Sequence, residues 1–189
     1  MPEPTTTTEW FGAAGDEAVE LVDPDPSWPS RFEAIRTRLA RALGASALRI
    51  DHIGSTAVPA IPAKPVIDVQ VSVPSLDAEG AYVPQIESLG WLLRAREPEH
   101  RFFRPPAGEP RTVHIHVCQG GSAWERAHLL FRDYLRAHPR SAASYARLKE
   151  RLAAEVGHDR PAYTRSKDPF IAATLKRAEA WARGMGWQP

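Results

Sequence analysis

An aspartate in the middle of a valine-rich strand sets the terms on which this chain can fold. The stretch Leu48–Val73, LRIDHIGSTAVPAIPAKPVIDVQVSV, reads as a strand, a Gly-Ser turn, a proline-spaced loop and a second strand. Strand side chains alternate, so Val66, Asp68, Gln70 and Ser72 share one face, and Ile67, Val69, Val71 and Val73 the other. The aliphatic face asks for a packed layer. The Asp68 face cannot be closed by apolar groups alone, because an unpaired buried carboxylate is costly. It needs a cation, a set of donors or a water-filled cleft.

The flanking segments supply candidate layers. Residues 1–17 are rich in Thr, Pro and Gly and read as a mobile tail, with Trp10 and Phe11 able to dock; the remainder, 18–189, reads as one domain. Ala18–Val22 reads as a short edge strand. Trp28, Phe32, Ile35, Leu39 and Leu43 recur at helical spacing, with Asp25 or Ser27 as cap, Pro29 in the first turn and Gly44 as the stop. Leu76–Gly90 suggests a second helix, despite Pro84 inside the window. His100–Arg104 and Arg111–Cys118 flank a Pro/Gly-rich loop and read as a hairpin. Helical periods then cover Trp124–Ala137, Ser141–Val156 and 168–183. Strands in the first two-thirds and helices in the last third predict an α+β fold: a mixed sheet core over 18–120, with a helical part over 121–189 packed on it.

The later hairpin arm places Thr112, His114, His116 and Cys118 on one face, the two histidines about 7 Å apart by the strand rise. This His-x-His pair can bind a transition metal with Asp68 or Cys118, or line a phosphate site as donors or a general base. Equally, one imidazole can face solvent while the other is the structural partner of Asp68. Asp68 itself suits a Mg²⁺ ligand or a base, or a structural salt bridge. Gly54-Ser55 offers backbone N–H groups and a hydroxyl to a phosphate, and is also an ordinary turn. Lys64 can supply a point charge. His52 sits where it can hold the loop. Lys149, Tyr163 and Lys167 lie among the C-terminal helices, long enough to close over a ligand held on the sheet.

Composition limits the partners. With 24 basic and 23 acidic residues the net charge is +1, so nucleic acid would require a local patch. One cysteine, Cys118, excludes an internal disulfide and a Cys-rich zinc site, and suits a reducing, cytoplasmic setting. No apolar run spans a bilayer and MPEPTTTTEW has no signal-peptide character, so no membrane partner is expected.

On these residues the sequence resembles the GrpB family, placed in the nucleotidyltransferase superfamily. The resemblance covers roughly residues 18–185 and rests on VDPDPSWPSRF, HIGSTAVPAIPAKPVIDVQV, HIHV, FRDYLRAHPRSAASYARLKERLA and YTRSKDPFI. It implies a nucleotidyltransferase-like mixed sheet flanked by helices, and related domains occur fused to dephospho-CoA kinase. In the wider superfamily the Gly-Ser pair precedes Asp-x-Asp or Asp-x-Glu, a third carboxylate follows, and the set holds two Mg²⁺ ions for nucleotidyl transfer. Here Gly54-Ser55 and Asp68 match, Gln70 stands at the second carboxylate, and His114 and His116 lie where the third is sought. The resemblance implies a nucleotide or other phosphate ligand on Gly54, Ser55, Lys64, Gln70, Lys149, Tyr163 and Lys167, with Asp68, His114 and His116 as catalytic or metal-binding groups and Mg²⁺ as cofactor. Three functions follow: nucleotidyl or phosphoryl transfer, a non-catalytic ligand-binding or partner module, and a transition-metal hydrolase.

Overall fold

The aliphatic face of the Asp68 strand finds its layer in an N-terminal helix, α1 (Trp28–Leu43). The computed structural model describes residues 8–12 and 18–189. In α1 the five periodic residues Trp28, Phe32, Ile35, Leu39 and Leu43 are all buried. Each such large apolar side chain contributes about 1.5–3 kcal/mol on burial. Asp25 Oδ1 accepts from the Ser27 N–H at 2.7 Å, so the acidic residue shapes the entry turn, while Ser27 makes no side-chain cap. Gly44, at φ +51°, ends the helix.

Among the described residues the sheet has six strands: β1 (Glu9–Trp10), β2 (Arg49–Ile53), β3 (Ile67–Val73), β4 (Leu92–Arg96), β5 (His100–Arg104) and β6 (Val113–Gln119), in the order β1-β4-β5-β6-β3-β2. The pair β3–β6 is parallel and the other pairs are antiparallel, which makes the sheet mixed. Ile67, Val69, Val71 and Val73 join Val113, Ile115, Val117, Phe103 and the α1 residues in one core. The register sets Asp68 beside His114, Gln70 beside His116 and Ser72 beside Cys118 across β3–β6, and Gln70 beside Asp51 across β2–β3.

Four helices follow Gly121-Ser122: α3 (Ala123–Ala137), α4 (Pro139–Val156), α5 (Arg160–Arg165) and α6 (Asp168–Met185). Leu130, Tyr134, Leu135, Ala142, Tyr145, Ala146, Ala178 and Ala182 form a second core with Val58 and Ile61 from the loop before β3. The architecture is α+β, with C-terminal helices packed on the sheet, as the segment order predicts.

Three local expectations change. The helix predicted over 76–90 is instead a 3₁₀ turn, Glu79–Ala81, followed by the short helix α2 (Val83–Glu87). Pro84 has no N–H to give to a helix interior, and it takes a first-turn position. The expected edge strand at 18–22 reduces to one bridge between Val22 and Ala63. In the segment expected to be a tail, Glu9–Trp10 pairs with Arg96 and Ala95 at the sheet edge, and Glu9 ion-pairs with Arg96 at 3.1 Å; residues 1–7 and 13–17 lie outside the described residues. Among the described residues no helix is long and apolar enough to cross a membrane.

Candidate functional site

The polar face of β3 and β6 is where the unpaired demands of the sequence meet. His114 Nδ1 lies 3.0 Å from Asp68 Oδ1, and His116 Nε2 lies 3.7 Å from the same oxygen. One ligand atom from each of Asp68, His114 and His116 falls within 4.8 Å of the others. Burial pushes the Asp68 carboxyl up, but the hydrogen bond from His114 and the nearby His116 imidazole outweigh it and hold Asp68 well below the usual carboxylate range. Burial pulls both imidazoles down, His116 to about 4. Asp68 is therefore ionised and the histidines neutral at physiological pH.

The Gly54-Ser55 turn is built around that carboxylate. Gly54 has φ +69°, and a Cβ there would come within 2.3 Å of Asp68 Oδ2. Only glycine lets the loop lie this close to the aspartate. Burial pushes the Tyr145 phenol of α4 up, and the nearby Ser55 opposes that shift. His52 holds the loop from behind: its Nε2 is 2.9 Å from Thr56 Oγ1, which donates to Val66 O at 3.2 Å, and its ring stacks on Phe32 at 4.8 Å. Burial pulls His52 to about 4, which suits a structural group.

A cationic group faces Asp68 from the other side. Lys64 and Lys167 flank Tyr163 of α5, with Nζ atoms 5.9 and 4.8 Å from its ring centroid. Lys149 of α4 is almost fully buried, donates to Pro62 O and lies 5.1 Å from the Tyr145 ring. Burial, and then mutual repulsion among these cations, pulls Lys64 to about 8 and Lys149 to about 7; burial also lowers Lys167. Asp68 opposes each of these shifts. Glu150 opposes the shift at Lys149 as well, and Asp168 that at Lys167.

Gln70, at the second-carboxylate position, is completely buried, and neither its Oε1 nor its Nε2 has a hydrogen-bond partner among the described residues. The donor set therefore comprises one carboxylate, two imidazoles and an amide. Mg²⁺ demands oxygen ligands, so a Mg²⁺ pair bridged by protein carboxylates does not fit these residues. Cys118 faces away from any such role: it contacts Ser72, and burial pushes its thiol up to about 12.

The fold brings together Gly54, Ser55, Asp68, His114 and His116, and it adds Lys64 from the loop before β3 and Lys149, Tyr163 and Lys167 from the helical side. It also adds groups that sequence reasoning left without partners. His100 Nε2 is 3.1 Å from His116 Nδ1, and His100 Nδ1 is 3.0 Å from Glu97 Oε2. Trp124 stacks on His100 at 4.9 Å and on His128 at 3.6 Å. The alternation of His100 and Phe102 in the hairpin arm, opposite Cys118 and His116, was the signal that could have found His100. A separate cleft of about 820 Å³ lies around the edge of β2, lined by Trp28, Phe32, Asp51, His52, Arg132 and Arg136 among others. Its charges are internally paired, Arg132 with Asp51 and Asp133, and Arg136 with Asp133.

Comparison with known proteins places these features in a lineage. A UPF0157 protein of Pseudomonas aeruginosa is 41% identical over 175 residues, covering 90% of this chain and 72% of that one. A UPF0157 protein of Streptomyces coelicolor is 39% identical over 180 residues, 94% of each chain. A protein named dephospho-CoA kinase in Mycolicibacterium paratuberculosis is 32% identical over 197 residues, and the match spans only 48% of its length. The crystal structure of GrpB from Enterococcus faecalis superposes with a TM-score of 0.76 at 31% identity, covering 86% of this chain and 99% of that one. The GrpB protein family matches residues 18–177, a span that holds the Gly54 turn, the Asp68 strand, both histidines and all three lysines. The chain belongs to the GrpB family.

Proposed function

We propose that the face between β3, β6 and helices α4–α6 binds a phosphate-bearing ligand, a nucleotide or a related polyphosphate, as a nucleotidyltransferase-like site. The observation that carries this reading is a cluster of ammonium groups, Lys64 and Lys167 on either side of the Tyr163 ring and Lys149 buried against Tyr145, whose acidic neighbours Asp68, Glu150 and Asp168 do not restore the usual lysine range. Such a cluster is costly unless a polyanion neutralises it. The tight Gly54 turn, with the Ser55 hydroxyl beside it, suits phosphate oxygens. Asp68, ionised and hydrogen-bonded to His114, suits a group that orients an acceptor hydroxyl as a phosphoryl or nucleotidyl group moves.

Titration calorimetry with pyrophosphate and the four ribonucleoside triphosphates, with and without Mg²⁺ or Mn²⁺, tests the reading. Saturable binding weakened about tenfold or more by Lys149→Met is expected, since about 1.4 kcal/mol of lost charge interaction is tenfold in affinity. If no phosphate ligand binds under any of these conditions, the reading fails.

Gln70 favours a second reading, binding without turnover, because an uncharged side chain replaces a bridging carboxylate. The name dephospho-CoA kinase on proteins that contain a similar segment makes a coenzyme A precursor a ligand to include in the same titrations. Product analysis separates the two readings: nucleotide consumption lost in Asp68→Ala removes the non-catalytic one.

A further inference from the structure

The hydrogen-bond chain behind His116 has a fixed polarity. The Glu97 carboxylate only accepts, so His100 presents its proton on Nδ1, at 3.0 Å. In its neutral form His100 then has a lone pair on Nε2, and that lone pair accepts from His116 Nδ1 at 3.1 Å. A neutral His116 has thereby committed its one N–H. Its Nε2 is a bare lone pair, 3.7 Å from Asp68 Oδ1. Two acceptors face each other, and something positive belongs between them. His114 adds a nitrogen 3.0 Å from the same oxygen, and its Nε2 is buried with no partner among the described residues.

These separations suit a metal ion. Bonds of about 2.0–2.2 Å to nitrogen and oxygen put neighbouring donor atoms roughly 3–3.5 Å apart. The two separations from Asp68, 3.0 and 3.7 Å, bracket that spacing, and the three ligand atoms span no more than 4.8 Å, so a small rotation of one imidazole closes the set around an ion. Two imidazoles and one carboxylate favour a borderline transition metal over Mg²⁺. The Glu97–His100 arm resembles the outer shell that orients a ligating histidine through its second nitrogen. The stacking of Trp124 on His100 and His116, at 4.9 and 5.8 Å, leaves those rings little freedom to reorient.

We propose that Asp68, His114 and His116 hold one transition-metal ion of the Zn²⁺, Mn²⁺ or Fe²⁺ class, and that His100 and Glu97 are positioning residues that present His116 Nε2 to it. The site lies on the same face as the proposed phosphate pole but does not depend on that reading. Its donors come from the sheet, whereas the phosphate donors come from the loop and helices.

The test uses untagged full-length protein stripped with chelator, titrated with Zn²⁺, Mn²⁺ or Mg²⁺ alone in a buffer free of phosphate. One Zn²⁺ or Mn²⁺ per chain is expected by calorimetry and elemental analysis, with Mg²⁺ at least a hundredfold weaker. Stoichiometric binding is expected to vanish in His116→Ala and Asp68→Asn. His100→Ala and Glu97→Gln are expected to keep the stoichiometry and weaken affinity about 10–100-fold. Histidine-selective ¹⁵N spectra of the wild-type protein make the result independent of variant folding: Zn²⁺ should shift ring nitrogens of two histidines, and the His100 tautomer should be Nδ1–H throughout. Sub-stoichiometric metal, affinity unaffected by His116→Ala in a folded variant, Mg²⁺ binding as tightly as Zn²⁺, or a His116 that is a doubly protonated imidazolium at neutral pH and ignores Zn²⁺ would each overturn the proposal. Pyrophosphate titration in the presence of chelator reports the lysine pole separately, so failure of one reading is distinguishable from failure of the other.

Discussion

Gly54 and Gln70 show how single residues trade stability against the site. An alanine at 54 must hold φ near +69° and place its Cβ 2.3 Å from Asp68 Oδ2. Gly121, at φ +75°, has nothing within 4 Å of such a Cβ and serves as the control. Gly54→Ala is expected to cost about 1–3 kcal/mol more than Gly121→Ala, read as the difference in melting temperature or urea midpoint. Equal losses would mean that the contact with Asp68 relaxes freely. Gln70→Leu should act in the opposite sense. Removing a buried amide with no partner among the described residues is expected to raise stability by about 1 kcal/mol or more, while weakening pyrophosphate or metal binding. A variant that is less stable than the parent would show that the amide is satisfied within the protein. At this scale the sequence was informative about Asp68 and His114, because alternation along a strand fixes which residues share a face. It was uninformative about Glu97 and Trp124. Their roles depend on how a turn and a helix meet the sheet, which no local period encodes.

Helix α3 shows the same division between local and non-local information. Its start is a variant of the capping box: Ser122 Oγ accepts from the Glu125 N–H at 3.1 Å, and Glu125 reaches back one residue past the cap, to the Gly121 N–H at 2.6 Å. The Ser-x-x-Glu spacing is legible in the sequence. The third contact is not, since Glu125 also accepts from Ser72 Oγ of β3, 53 residues away. That bond ties the helix to the sheet and so fixes Trp124 and His128 over His100 and His116. Glu125→Ala leaves the buried Ser72 hydroxyl and the Gly121 N–H without their acceptor, and is expected to cost about 2–4 kcal/mol in denaturant unfolding. Glu125→Gln should recover much of this, because an amide oxygen can still accept. The helix expected over 76–90 failed for a local reason that outweighed its apolar spacing, the missing N–H of Pro84. Helix α5 was missed because six residues carry too little period to register, although Asp159 caps it through the Ala162 N–H at 3.0 Å.

For the whole molecule, the lysine pole links folding, ligand and pH. Lys149 and Lys64 titrate near 7 and 8 in the fold, against the usual value near 10.5 in an unfolded chain. Between these limits the unfolded chain holds more protons, so these groups make the fold more stable as pH rises from about 7 towards 10.5. Below about 7 both states are protonated and the burial cost is fully felt. A polyanionic ligand needs the protonated lysines. Its affinity should therefore fall as pH rises from about 6 to 9, and binding at pH 8 should take up protons. Calorimetry in two buffers of different ionisation enthalpy measures that uptake; zero or negative uptake would separate the lysines from the ligand. Lys149→Met should abolish part of the uptake and raise stability at pH 6.

The parallel pairing of β3 with β6 has a kinetic consequence. Asp68 and His114 are register neighbours although 46 residues apart in the chain, and they meet only when this parallel seam inside the sheet has zipped. The residues between them form β4 and β5, so that loop must close before the pair exists. The imidazole–carboxylate cluster is therefore expected to be among the last features to assemble and, in native-state hydrogen exchange, to open only with global unfolding. The Lys167 end, on helices outside the sheet, can exchange through smaller openings. A ligand can then be admitted by fraying of the helical side while the sheet keeps its three donors in place.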